Sequence, residues 1–258
     1  MIEFVIVFLA FACPAYASGK MVLLPAGSYT PFILRSVSKK GDKPNFRADP
    51  VKLNAFLLDS SVVTNGQFLE FVKAHKQWSK SQVPAVFADA HYLNHWKSDF
   101  SLSNSHDKNR PVTQVSWFAA NAYCESLGKI LPTTDQWEYA LADNGRNSKE
   151  TKKKILAWYS QPNSSNLSDS GTTRPNGFGI YDMIGVVWEW TLDFNSFLVG
   201  DELRSKDDKD EAQFCGGGSL GTLSPDDYSA YMRYSFRASM KASYTTQNLG
   251  FRCAKETK

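Results

Sequence analysis

Residues 111–140, PVTQVSWFAANAYCESLGKILPTTDQWEYA, leave this chain few ways to fold. Ser116 stands where a helix N-cap belongs, with a hydroxyl able to accept a backbone N–H of the first turn. Ala119, Ala122, Tyr123 and Leu127 then recur at three- and four-residue spacing and make one apolar face. Gly128 supplies the stop, because glycine enters the left-handed conformation that ends many helices without a Cβ clash. After Leu131 and Pro132, Thr133 and Gln136 form a capping box that opens a second helix carrying Trp137, Tyr139, Ala140 and Leu141. Two capped helices joined by a tight Gly-Lys-Ile-Leu-Pro turn are a specific arrangement that composition alone would not produce.

The flanking chain reads as strands and loops with one further helix. Residues 21–29 and 51–58 are apolar enough for strands, and residues 36–50 are polar and punctuated by Gly41, Pro44 and Pro50. Thr64 and Gln67 form another capping box, followed by Phe68, Phe71, Val72 and His75 on one helical face. Residues 80–110 read as a polar loop with aromatic patches. His91 and His95 are spaced i, i+4 and His106 follows, but no acidic partner completes a metal-binding helix motif, so a packed loop is the expectation. Residues 144–174 read as an exposed loop, residues 175–190 as a turn and a buried aromatic strand, and residues 201–211 as a solvated charge run. Short strands are expected at 214–220, 235–238 and 251–254. With no fixed-period repeat and no linker, the chain is expected to be a single loop-rich α+β domain.

Residues 4–12 are apolar but too short to span a bilayer, and Ala15-Tyr16-Ala17 fits a signal-peptidase site. The expectation is a signal peptide over residues 1–17, a mature domain over 18–258 with no membrane span, and a periplasmic or secreted location. Net charge is +3 with the two signs interspersed, which argues against a nucleic-acid surface. Removal of the leader takes Cys13 with it and leaves Cys124, Cys215 and Cys253, so at most one internal disulfide can form and one thiol is left over.

The segment at 111–140, together with PNGFGIYDMIGVVWEWTLDF, GGSL and NLGFRCA in that order, resembles the formylglycine-generating enzyme or sulfatase-modifying factor domain. VTNGQFLEFV resembles the early helix of the same family, and the resemblance covers residues 21–255. It implies a distorted C-type-lectin-like fold and a disulfide between Cys124 and Cys253, with Cys215 a free thiol. It also implies a calcium site made by the carboxylates of Asp182 and Glu189 and the carbonyls of Gly185 and Val187, a mixed oxygen set of the kind Ca²⁺ takes. Val186 replaces the family's usual asparagine there.

Active members of that family oxidise a substrate cysteine with O₂ and hold copper(I) between two cysteines, a soft thiolate pair suited to that ion. Gly217-Gly218-Ser219 keeps the approach to that site, but the position of the first cysteine reads Thr222 and that of the second Asp227 or, counted from the other side, Arg233. No cysteine lies between Cys215 and Cys253. Copper and the oxidase reaction are therefore not expected. The expectation is an accessory or binding protein for an unidentified protein or peptide partner. The alternative is an enzyme of different chemistry in the same cleft, as in relatives linked to peptide-siderophore maturation, using Ser219, Thr222, Asp226, Asp227 and Arg233.

Overall fold

The structure, a computed structural model, describes residues 19–31, 35–36, 46–47, 50–142, 148–160, 167–194, 236 and 239–257. Strand β1 (Met21–Leu24) stops at Pro25, which has no N–H to give a ladder, and β2 (Gly27–Tyr29) resumes in a different sheet. The single strand expected over 21–29 is therefore two. A hairpin of β3 (Arg35–Ser36) and β4 (Phe46–Arg47) interrupts the expected polar loop, and β5 (Val51–Leu53) pairs antiparallel with β2. Strand β6 (Phe56–Asp59) is the centre of the main sheet.

Three helices follow their caps. In α1 (Asn65–Ala74) the Thr64 hydroxyl accepts the Gln67 N–H, and the Gln67 side chain accepts the Thr64 N–H. In α2 (Trp117–Ser126) Ser116 accepts from Ala119 N–H. Gly128, at φ +65°, turns the chain so that its own N–H reaches the Glu125 carbonyl and the Lys129 N–H reaches the Cys124 carbonyl, the paired bonds of a Schellman stop. Thr133 and Gln136 exchange the bonds of a capping box at the head of α3 (Thr134–Ala142).

Helix α4 (Ser148–Tyr159) stands where an exposed loop was expected. Its lysines and glutamate are good helix formers, and Ile155 and Trp158 supply the apolar side that docks it. Strands β7 (Trp188–Glu189) and β8 (Leu249–Gly250) pair in parallel, and β9 (Ala254–Glu256) closes the main sheet in the order β1-β6-β9. The aromatic strand expected over 175–190 is thus confined to two residues, the strand expected over 251–254 splits around Phe251–Cys253, and Phe236 has helical backbone. The segments at 214–220 and 201–211, and residues 1–17, lie outside the described residues.

One core cluster gathers Phe68 and Phe71 of α1, Tyr123 of α2, Trp96 and Phe251. Phe68 touches the other four rings at centroid distances of 5.3–6.2 Å. The other packs the main sheet, through Leu24, Phe56 and Leu58, on Tyr139 and Ala140 of α3. The two meet at consecutive residues, Cys253 in the first and Ala254 in the second. Cys124 and Cys253 are bonded at that junction, with no exposed surface on either.

The 80–110 region contributes core, not surface: Tyr92, Leu93 and Trp96 are buried. It is pinned by Asn65, whose amide nitrogen donates to carbonyls of Asp107, Arg110 and Pro111. The Asn65 Oδ1 accepts from Trp96 Nε1 and faces His95 Nε2 at 3.1 Å, while His95 Nδ1 lies 2.9 Å from Gln114 Oε1. Both ring nitrogens of His95 are thus engaged by amides. Among the described residues no group of three or more His, Cys, Asp or Glu is placed to hold a metal.

Candidate functional site

Two charges of opposite sign sit in apolar stretches far apart in the chain, Glu189 in VVWEW and Arg252 in GFRC, and the structure joins them. Strand β7 carries Glu189, β8 leads to Arg252, and their parallel pairing lays the side chains together. Arg252 Nε donates to Glu189 Oε2 at 2.7 Å and Nη2 to Oε1 at 2.8 Å, a forked pair. Nη1 and Nη2 also reach the carbonyls of Asp59 and Tyr181, and Trp137 Nε1 donates to Glu189 Oε2 at 3.0 Å. Burial alone would push the guanidinium down; Glu189, with Asp182 and Asp59 farther out, more than offsets it and holds Arg252 above its ordinary value.

A second buried pair stands beside the first. Lys129 Nζ lies 2.6 Å from Asp59 Oδ1, and Asp59 Oδ2 accepts the Cys253 N–H. Burial raises the Asp59 carboxyl above its ordinary value, although Lys129, the Cys253 N–H and Arg252 all pull it back. These pairs fix the crossing of β6, β7 and the C-terminal segment, and Glu189 also lines a cleft.

That cleft is concave and mostly apolar, as ligand sites are. Its walls are Trp137 and Leu141 of α3, Ile155 and Trp158 of α4, Met183 and Ile184, Trp188 and Trp190 around β7, Phe194, Phe236 and Met240. Trp188 lies between Trp158 and Phe236, at 5.3 and 4.4 Å, with planes tilted by 35° and 32°. Trp190 is anchored deeper, donating to the Val115 carbonyl and meeting Phe194 edge-on at 5.1 Å. Next to Phe194, Asp193 caps α3, accepting both the N–H and the hydroxyl of Thr134. The arrangement offers an apolar, ring-lined recess whose one charged described lining residue, Glu189, is paired with Arg252. It can bind and exclude water.

Of the four residues expected to ligate calcium, the two carboxylates are engaged by other groups, and as a pair they do not fit the ion. Both Glu189 oxygens are taken by Arg252 and Trp137, so a cation on that carboxylate would stand against a buried guanidinium. Asp182, at φ +60° and 1% exposed, points its oxygens at Gly171 N–H and at the N–H and hydroxyl of Thr173. Gly185, at φ +93°, and Val187 lie in the turn between them. Asp182 and Glu189 thus face different donors instead of converging.

The candidate cleft residues Ser219, Thr222, Asp226, Asp227 and Arg233, and the thiol of Cys215, lie outside the described residues. Sequence reading missed Arg252 as the partner of Glu189, though a lone acid and a lone base in two apolar strands are the signal that such a pair must form. It also missed Trp158, hidden in a lysine-rich stretch.

The sulfatase-modifying factor enzyme 1-like domain matches residues 11–257. The chain belongs to that family. Among its relatives, the formylglycine-generating enzyme of Streptomyces coelicolor is 29% identical, over 80% of this chain and 80% of that protein. The inactive C-alpha-formylglycine-generating enzyme 2 of Bos taurus is 27% identical, over 91% of this chain and 87% of that protein. PvdO from Pseudomonas aeruginosa shares the fold, with a TM-score of 0.53 at 18% identity over 96% of this chain and 97% of that one. The α+β sulfatase-modifying-factor fold expected for the chain is the fold it has.

Proposed function

We propose that this chain is an exported, non-oxidase member of the sulfatase-modifying factor family that acts by binding, its ring-lined cleft receiving part of a protein or peptide partner. One observation carries the reading. The Cys124–Cys253 bond takes two of the four cysteines and leaves Cys215 and, in the leader, Cys13. Two neighbouring thiolates for copper(I) cannot be assembled from those, and the Thr222 hydroxyl is too hard and too weakly acidic to stand in. The family includes proteins named inactive, at an identity similar to that of proteins named as enzymes, which supports a scaffold kept without that reaction. The leader-like residues 1–17 and the disulfide support export.

The test uses the chain from Ser18 onward with its disulfide intact. Copper(I) is titrated against a chromogenic chelator, and a Cys-x-Pro-x-Arg peptide is incubated under air and followed by mass spectrometry for conversion of thiol to aldehyde. The expected result is no stoichiometric copper and no aldehyde. Aldehyde formation that depends on Cys215 would overturn the reading. An enzyme of other chemistry would instead work through Ser219, Thr222, Asp226, Asp227 or Arg233, and alanine at those positions would then abolish an activity while leaving partner binding intact.

A further inference from the structure

We propose that Asn176 is a site of spontaneous deamidation, held unreactive by a clamp on the end of α3 and converted irreversibly when that clamp opens. The sequence holds three Asn-Gly pairs, at 65–66, 144–145 and 176–177, of which the second lies outside the described residues. A glycine after asparagine carries no side chain to hinder its own nitrogen from reaching the asparagine Cγ. In that reaction the Gly177 N–H gives its proton to solvent and the nitrogen attacks Cγ of Asn176. The Cγ–Nδ2 bond breaks, ammonia leaves and a cyclic imide remains. Water then opens the ring at one of its two carbonyls, giving aspartate or isoaspartate. Nothing is oxidised or reduced, and water is the one co-reactant.

The fold sets how often this can start. Asn176 Nδ2 donates to the Ala140 carbonyl at 2.7 Å, and Oδ1 accepts the Phe178 and Ile180 N–H groups at 3.1 and 3.0 Å. Ala140 lies in the last turn of α3, where a carbonyl has no N–H of its own helix to accept from, so the amide caps that end. Closing the ring expels Nδ2 and turns Cγ towards the Gly177 nitrogen, so the native bonds must be given up. The clamp stands at the edge of the core. Ile180 is 1% exposed and Phe178 packs on Tyr139, whereas Asn176 is half-buried. Gly177 is exposed, and its N–H donates to none of the described residues. A local opening is therefore enough to free the pair. Asn65 is the contrast. It is 2% exposed and its amide is tied to three carbonyls, to Trp96 and to His95, so it reacts only once the core comes apart.

The product cannot rebuild the clamp. An aspartate at 176 has no N–H for Ala140 and sets a carboxylate against a carbonyl at the negative end of the helix dipole. Isoaspartate also adds a backbone carbon inside the turn that Gly179, at φ +83°, closes on the Asn176 carbonyl. Helix α3 carries Trp137 and Leu141 into the cleft, so the lesion reaches the cleft wall.

The chain from Ser18 onward, disulfide intact, is held in neutral buffer and in unfolding urea beside a free Pro-Asn-Gly-Phe-Gly peptide. Conversion at each Asn-Gly pair is read by peptide mapping with mass spectrometry. Three hydrogen bonds of ordinary net strength should slow Asn176 about a hundredfold against the peptide in buffer, and urea should restore the peptide's rate. Asn65 should be slower still in buffer. Gly177→Ala, at an exposed position with φ outside the left-handed region, should slow conversion in urea severalfold and leave the unfolding midpoint unchanged. Asn176→Asp should lower that midpoint. Conversion in buffer at the peptide's rate overturns the clamp, and so does an Asn176→Asp chain as stable as its parent. Absence of conversion at Asn176 in urea overturns the site, and Asn65 reacting faster than Asn176 in buffer overturns the local opening.

Discussion

Replacing Glu189 by Gln keeps the size of the side chain and removes its charge, and its effect can be estimated from the geometry. The side chains of Glu189 and Arg252 are 1% and 0% exposed, so solvent offers Arg252 no replacement partner. Arg252 cannot shed its proton either, since it is held above an already high ordinary value. Its two charged bonds go to Glu189; the other two go to the neutral carbonyls of Asp59 and Tyr181. Removing one partner of such a pair costs about 3–5 kcal/mol. With a urea m-value of about 3 kcal/mol/M for a chain this size, the unfolding midpoint should fall by roughly 1–1.7 M. Changing both residues to Met should recover part of that, because the stranded charge goes while two carbonyls lose a donor. A fall of less than about 0.3 M for Glu189→Gln would refute the argument. So would a calcium-dependent rise in melting temperature that the variant loses, because Glu189 would then be a metal ligand.

Changing Cys124 and Cys253 together to Ser opens a loop with a sequence separation of 129 residues and should cost about 5 kcal/mol in the chain-entropy account, read from denaturant midpoints; a loss under about 1 kcal/mol would refute it. Gly250→Ala places a methyl 2.7 Å from the Val112 carbonyl oxygen, on a backbone held by its own bond to Val63, and should destabilise by about 1–3 kcal/mol; calorimetry checks this. Burial pulls His95 below the ordinary 6.5, against the upward pull of Gln114 and Asp107 and with a smaller downward push from Lys80. Between 6.5 and the lower folded value the unfolded chain holds more protons, so stability should fall as pH falls through that window. His95→Gln should flatten this slope in urea midpoints measured across the window, and an unchanged slope would assign it elsewhere.

What could be read in advance was local chemistry. The caps at Thr64, Ser116 and Thr133 act within a few residues of themselves, so α1, α2 and α3 were legible from short stretches of chain. The sheet was not: β6 pairs with residues 21–24 on one side and 254–256 on the other, and no nearby residue announces either partner. Helix α4 was obscured because four lysines between positions 149 and 154 dominate its composition, while only Ile155 and Trp158 reveal what it covers. The cleft suffered from the same separation. Its rings come from α3, α4, β7 and the segment around 236–240, and they become neighbours only after the fold has formed. Glu189 stood out in the sequence as a carboxylate worth explaining, but the explanation lay at Arg252, in the link between β8 and β9.

Residues 249–256 carry the β8 strand, the guanidinium for Glu189, the second disulfide cysteine and the edge strand of the main sheet. During synthesis they leave the ribosome after every element they fasten. Until then β6 lacks one neighbour, Cys124 has no partner and Glu189 is a bare carboxylate in an apolar wall. That order of fastening would suit the export proposed above, since the disulfide could close only after residue 253 has joined the fold and where thiols can be oxidised.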